Sequence, residues 1–226
     1  MKRTDDDGRT LVLFDIDGTL LHVKGAGRRS FIAGLQRAWG VSDALHDVNF
    51  SGATDLGVLA QLRTRLHLPD VHDAAFFLHM ADALRAFVLA EPAEACVGAV
   101  DVVTALRADP RLVLGVVTGN ARATAHVKLA SIGVHDAFTL GAYGDEHADR
   151  NVLASLAVER ARALHDVTRV VLLGDTPSDV AAARAVGAVA IAVATGSHDV
   201  DALARKGADL VVATLADPRV HAAIVR

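Results

Sequence analysis

The sequence predicts an α/β protein, a Rossmann-like parallel sheet core carrying a small inserted α-helical segment. Three observations predict it. The apolar run Leu11-Val12-Leu13-Phe14 stops at two carboxylates, Asp15 and Asp17, with Gly18 behind them, which reads as a buried strand opening into a crevice. From about Pro92 onward, short apolar runs alternate with helical stretches long enough for right-handed crossovers. Hydrophobic residues make up 52% of the 226 positions while aromatics supply only 4%, so Ala, Val and Leu must build the core, as helices packed on a parallel sheet require. A chain of this length buries a sizeable core without disulfides.

Taken in order, residues 1 to 9 read as a loose polar tail, followed by a first strand near residues 10 to 15. Between Lys24 and about Pro92 no convincing β-branched run occurs. Apolar residues fall instead at helical spacing, first Phe31, Leu35, Ala38 and Trp39, then Val58, Leu59 and Leu62, then Phe76, Phe77, Met80, Leu84, Phe87 and Val88 between Ala74 and Leu89. Residues 22 to 95 therefore form a helical insert, and residues 1 to 21 with 96 to 226 form the α/β core. Within that core the pattern predicts a helix near 98–108, a strand over 112–117, a helix over about 121–132, and a short strand around 137–143. A helix over 152–164, a strand over 170–173, a helix over 177–186, a strand over 189–193 and an edge strand over 209–212 complete it.

The residues that carry chemistry cluster at the ends of these strands. Asp15 and Asp17, two apart on an extended segment, point the same way, a like-charge pair that raises one pKa or demands a cation. In Val116-Val117-Thr118-Gly119-Asn120 a strand opens into a helix. Thr118 with the amides of Gly119 and Asn120 suits an anion there, while Thr118 also reads as a plain helix N-cap. In Leu172-Leu173-Gly174-Asp175-Thr176-Pro177-Ser178-Asp179 two more carboxylates follow a buried strand. Oxygen-rich groups of this kind suit Mg²⁺, and Asp179 also complements a helix N-terminus.

These stretches, in this order, resemble the motifs of the haloacid dehalogenase superfamily, most of whose members are Mg²⁺-dependent phosphatases. The cap position and length are similar to the phosphoglycolate-phosphatase-like branch. The resemblance covers nearly the whole chain. It implies that Asp15 is the nucleophile, forming an aspartyl-phosphate, and that Asp17 is the general acid and base, an acid that dehalogenase members lack. Thr118, Gly119 and Asn120 would hold the phosphoryl oxygens. Asp15, the backbone carbonyl of Asp17, and Asp175 would hold Mg²⁺, with Asp179 beside them, and the helical insert would be a mobile cap.

The chain departs from the family at its cation, usually a Lys beside a Pro. The corresponding loop, Gly144-Asp145-Glu146-His147-Ala148-Asp149-Arg150-Asn151, has no lysine, and Arg150 is the substitute that can balance the aspartates. Lys128 is the second choice, because a helix rise of about 1.5 Å per residue should carry it away from the strand ends. In the insert, Ser51-Gly52-Ala53-Thr54-Asp55 resembles a turn common in such caps. Thr54 and Asp55 either face the substrate or cap the helix that follows, the capping alternative ranking slightly ahead.

The reading is thus a phosphatase acting on a small phosphorylated metabolite. A phosphomutase of the same fold would place a basic residue in the cap turn, where this chain has Phe50-Ser51-Gly52-Ala53, and a phosphonate hydrolase would need a cap lysine where only Lys24 is at hand. A non-catalytic binding module would be expected to lose a carboxylate. Net charge −4 and the absence of a basic stripe argue against a nucleic-acid partner. No apolar stretch is long enough to span a bilayer and no secretory leader is visible, so the expected location is cytoplasmic. The lone Cys96 reads as a small buried hydrophobe, and His67, His72 and His79 match no metal spacing.

Overall fold

The computed structural model describes residues 8–70 and 73–226. The chain enters strand β1 (Arg9–Phe14), turns, and passes through β2 (Leu21–His22) into helices α1 (Ala26–Trp39), α2 (Asp55–Leu66) and α3 (Asp73–Ala90). It returns through β3 (Glu94–Ala95) to α4 (Ala99–Arg107), β4 (Leu112–Val117) and α5 (Arg122–Ser131). A 3-10 turn (His135–Ala137) precedes β5 (Leu140–Ala142), α6 (Arg150–Leu164), β6 (Val167–Gly174), α7 (Pro177–Ala185) and β7 (Val189–Val193). The last elements are α8 (Val200–Arg205), β8 (Leu210–Val212) and α9 (Pro218–Ile224).

Six strands form one parallel sheet in the order β5-β4-β1-β6-β7-β8. Helices cover both faces, which is why the strands read as unbroken apolar runs. Side chains alternate across β1: Leu11 and Leu13 pack with Ala154, Ala157 and Val180 of α6 and α7, while Val12 and Phe14 pack with Val103, Leu106 and Leu129 of α4 and α5. The first crossover from β1 leads to β4 on one side and a later one leads to β6 on the other. The strand order therefore reverses at β1, and the crevice of a doubly wound sheet opens at its carboxyl end.

Helices α1 to α3 carry an apolar core of their own, built on Phe31, Leu35, Leu59, Leu62, Phe76 and Met80, with the Phe31 and Phe76 rings meeting edge to face at 4.9 Å. Two linkers join this insert to the sheet, and they pair as a small antiparallel ribbon, Leu21 opposite Ala95 and His22 opposite Glu94. Such two-residue strands leave no periodicity in the sequence. Helices α8 and α9 also escaped the apolar pattern, being only 6 and 7 residues long. The strand expected to begin near Ala137 begins at Leu140, because the preceding residues close a 3-10 turn.

Of the tail expected over residues 1 to 9, Arg9 belongs to β1 and residues 1–7 lie outside the described residues, as does His72. His67 is exposed at the end of α2, His79 is half-buried on α3, and Cys96 is buried against the sheet. Among the described residues no helix is long and apolar enough to cross a membrane.

Candidate active site

Asp15 is the first residue beyond β1, and its N–H still donates to Leu173 O (2.9 Å), so the ladder with β6 fixes where its carboxylate emerges. The chain then folds back sharply, with Ile16 O accepting from Leu20 N (2.8 Å) and Leu21 N (3.1 Å). Gly18 sits in the left-handed region at φ 77°, and a Cβ there would run into the Asp175 carboxylate. That close approach brings the β1 loop and the β6 loop together. Thr19 Oγ1 donates to Asp175 Oδ1 (3.3 Å) across the gap.

Asp15, Asp175 and Asp179 are all buried, and each presents a carboxylate oxygen within 4.8 Å of the others. Burial raises the carboxyls of Asp15 and Asp175 well above the usual range, and the proximity of the like charges raises them further. Asp179 Oδ2 accepts from the Thr176 hydroxyl (2.7 Å) and N–H (2.9 Å) and completes the capping box of α7. Its Oδ1 lies 2.5 Å from Arg150 Nη2, yet no donor, Arg150 included, is aligned to hydrogen-bond it. An all-oxygen, buried, mutually repelling set with one oxygen that accepts no hydrogen bond fits a hard divalent cation such as Mg²⁺.

Arg150 is the first residue of α6, whose N-cap Asp149 accepts from Asn151 N (2.8 Å). This start places the guanidinium under the strand ends, 8% exposed, where Nη2 donates to Asp15 Oδ1 (2.5 Å) and to Val117 O (3.3 Å). Burial works against the charge, but Asp15 and Asp179 more than offset it and hold Arg150 protonated.

Lys128 requires a correction. Helix rise was expected to carry it from the crevice, but its buried Nζ donates to both Asp17 oxygens (2.7 and 2.6 Å) and to Asn120 Oδ1 (2.5 Å). Seven residues of rise from Ala121 amount to about 10 Å, yet helical side chains lean back toward the N-terminus and a four-carbon stem recovers most of that distance. The site therefore holds two cations with separate partners, Arg150 on Asp15 and Asp179, and Lys128 on Asp17. Burial pushes the Asp17 carboxyl up, but Lys128 and the Asn120 amide (Nδ2 to Oδ2, 2.6 Å) together bring it below its ordinary value.

Thr118 is buried, and its Oγ1 accepts from Asn120 N (3.2 Å) and Asn120 Nδ2 (2.7 Å). The Asn120 amide expected to face an anion is thus turned onto Thr118. The Gly119 N–H has no partner among the described residues. From the insert, Thr54 caps its own helix by accepting from Gly57 N (3.0 Å), whereas the Asp55 carboxylate accepts from Ala121 N (2.7 Å) in the core. The sequence had offered capping and substrate contact as alternatives. Asp55 caps a helix of the other layer and also lines the cleft. The bridging roles of Asn120 and Thr19 were missed as well, although both stand inside the motifs already singled out.

Above these residues lies a cleft of about 750 Å³. Asp15, Asp17, Lys128 and Arg150 form its floor, and Phe50 and Met80 of the insert its far wall.

The sequence matches the haloacid dehalogenase-like hydrolase family over residues 10–187. The chain belongs to that family. The fold agrees with solved structures along nearly the whole chain. CbbY from Rhodobacter sphaeroides, determined in complex with phosphate, is 21% identical with a TM-score of 0.65, over 93% of this chain and 96% of that one. A candidate β-phosphoglucomutase from Bacteroides vulgatus is 18% identical with a TM-score of 0.67, over 98% and 93%. A hydrolase from Pseudomonas syringae is 21% identical with a TM-score of 0.63, over 90% and 92%. No curated protein matches the chain. At these identities the structures share the fold of this haloacid dehalogenase-like hydrolase, and its own site geometry has to carry the chemistry.

Proposed function

We propose that this haloacid dehalogenase-like hydrolase is a phosphatase that cleaves a small phosphomonoester, with the helical insert acting as a cap over the cleft. The observation that carries the reading is the buried Asp15 carboxylate at the sheet's switch point, held by Arg150 beside Asp175 and Asp179. Phosphoryl transfer asks a protein for an in-line nucleophile, positive charge and donors around the equatorial oxygens. Asp15, fixed by the ladder to Leu173, attacks phosphorus and forms an aspartyl-phosphate. The Thr118 hydroxyl and the unpaired Gly119 N–H are the donors nearest the phosphoryl group. Asp17, after taking up a proton from solvent or from the phosphomonoester, gives it to the leaving oxygen and then takes one from the attacking water, with Lys128 and Asn120 fixing its orientation.

Asp15, Asp175, Asp179 and the Asp17 carbonyl would hold Mg²⁺, which when bound offsets the repulsion between the carboxylates and the incoming phosphoryl group. CbbY has been crystallised with phosphate and, as an Asp-to-Asn variant, with xylulose 1,5-bisphosphate, which supports a phosphorylated metabolite as the ligand class. A phosphomutase would share the first half-reaction. The cap turn Phe50-Ser51-Gly52-Ala53 lacks a basic residue, which favours water as the final acceptor.

The test is phosphate release from p-nitrophenyl phosphate with and without Mg²⁺, with Asp15→Asn alongside. Metal-dependent release by the wild type that disappears in the variant is expected. Equal release by both proteins would remove Asp15 from the chemistry.

A further inference from the structure

The Asp55 carboxylate is not the cap of the helix it opens. Thr54 already caps α2, while Asp55 Oδ2 reaches across to Ala121 N at 2.7 Å. Ala121 is the N-cap residue of α5, and an alanine offers that helix no side-chain acceptor. The two N–H groups that open α5 are taken by carboxylates from elsewhere in the chain, Ala121 N by Asp55 of the insert and Arg122 N by Asp145 of the core (3.0 Å).

Three more hydrogen bonds join the same turn to two core loops. Asp55 N donates to Gly119 O (2.7 Å), Leu56 N to Gly144 O (2.8 Å), and Thr54 Oγ1 to Ala148 O (2.9 Å). Packing follows the same seam. Ala121 is fully buried in the insert's own apolar cluster, and a Cβ on Gly119 would collide with the Ala53 carbonyl. The segment so clamped, Thr118 to Ala121, supplies the proposed phosphoryl donors, and Asn120 within it holds Asp17 and Lys128.

We infer that Asp55 is a positioning residue that couples docking of the insert to the order of the phosphate-binding loop, by capping the core helix α5 from the other layer. With the insert undocked, Ala121 N–H and Gly119 O would lose these partners, and the loop would relax. Burial pushes the Asp55 carboxyl up to about 6, with Lys128 and the Ala121 N–H opposing and Asp17 and Asp145 reinforcing that rise.

The inference rests on the phosphatase reading only for its kinetic readout, so the test has two arms. Hydrogen exchange is followed by mass spectrometry in the full-length wild type, Asp55→Ala and Asp55→Asn, and turnover of p-nitrophenyl phosphate with Mg²⁺ is measured on the same samples. Asparagine keeps an acceptor and ranks with aspartate as a cap, whereas alanine keeps none. Asp55→Ala should therefore exchange about tenfold faster over residues 118–125 and lose about tenfold in kcat, while Asp55→Asn stays close to wild type.

Exchange across α2, capped by Thr54, should stay unchanged in both. If Asp55→Ala does not fold, Gly119→Ala, whose Cβ props the turn off the loop, should give the same faster exchange over 118–125. Unchanged exchange there in Asp55→Ala or in Gly119→Ala, or an Asp55→Asn as impaired as Asp55→Ala, would overturn the proposal. A wild type without phosphatase activity would overturn the functional reading instead, and the exchange arm would still decide the role of Asp55.

Discussion

Two buried cations divide three aspartates between them, and their separation makes distinct predictions for single residues. Arg150 touches Asp15 and Asp179, so Arg150→Ala leaves two buried carboxylates facing each other without compensation. Its stability should drop by about 3 kcal/mol, since breaking a buried ion pair from one side strands the other charge. Turnover should fall about 10²-fold with it, the scale of losing one donor aimed at developing charge. Lys128→Met frees Asp17, which retains one hydrogen bond from Asn120. Its melting temperature should change less than that of Arg150→Ala, while the pH dependence of turnover shifts upward as the Asp17 carboxyl returns toward its ordinary range. Thermal melts and pH–rate profiles on the two variants check both statements, and the opposite ranking of their stabilities would contradict the division.

Elements place these residues by where they start. Because α6 begins at Arg150 behind the Asp149 cap, Asp149→Ala should fray the turn that holds the guanidinium. It should cost about 1 kcal/mol in thermal unfolding, a typical cap loss, with a measurable drop in turnover, and no change in either would detach the cap from the site. The elements buried on both faces were legible in the sequence. Strands 112–117 and 189–193 occur at the residues expected because each is a run of apolar side chains with no polar face to blur its ends. The two-residue ribbon between the linkers was not legible, since its pairing is set by what the insert and the core bring together. Neither was the reach of Lys128, which depends on side-chain direction, nor the partner of Asp55, which lies 66 residues away in sequence.

At the scale of the whole molecule, the sheet's reversal at β1 collects acids from two loops into one buried cluster, and folding without a cation pays for that. Asp15 and Asp175 have raised carboxyls in the folded state, so the metal-free fold binds more protons than the unfolded chain between the ordinary carboxylate range and about pH 8. Stability of the metal-free protein should fall as pH rises through that window and level off above it. A divalent cation binds the deprotonated carboxylates, so Mg²⁺ should raise the melting temperature more at about pH 8 than at about pH 5. A larger rise at the lower pH would contradict the cluster as the cation site. The covalent step on Asp15 is the centre of the account, and Asp17→Asn tests it most directly. With acetyl phosphate, whose leaving group needs no proton, this variant should form the aspartyl-phosphate and hydrolyse it slowly. Mass spectrometry after acid quench should then find about 80 Da added to the peptide containing Asp15. An unmodified Asp15 peptide during turnover, or the added mass on another residue, would contradict it.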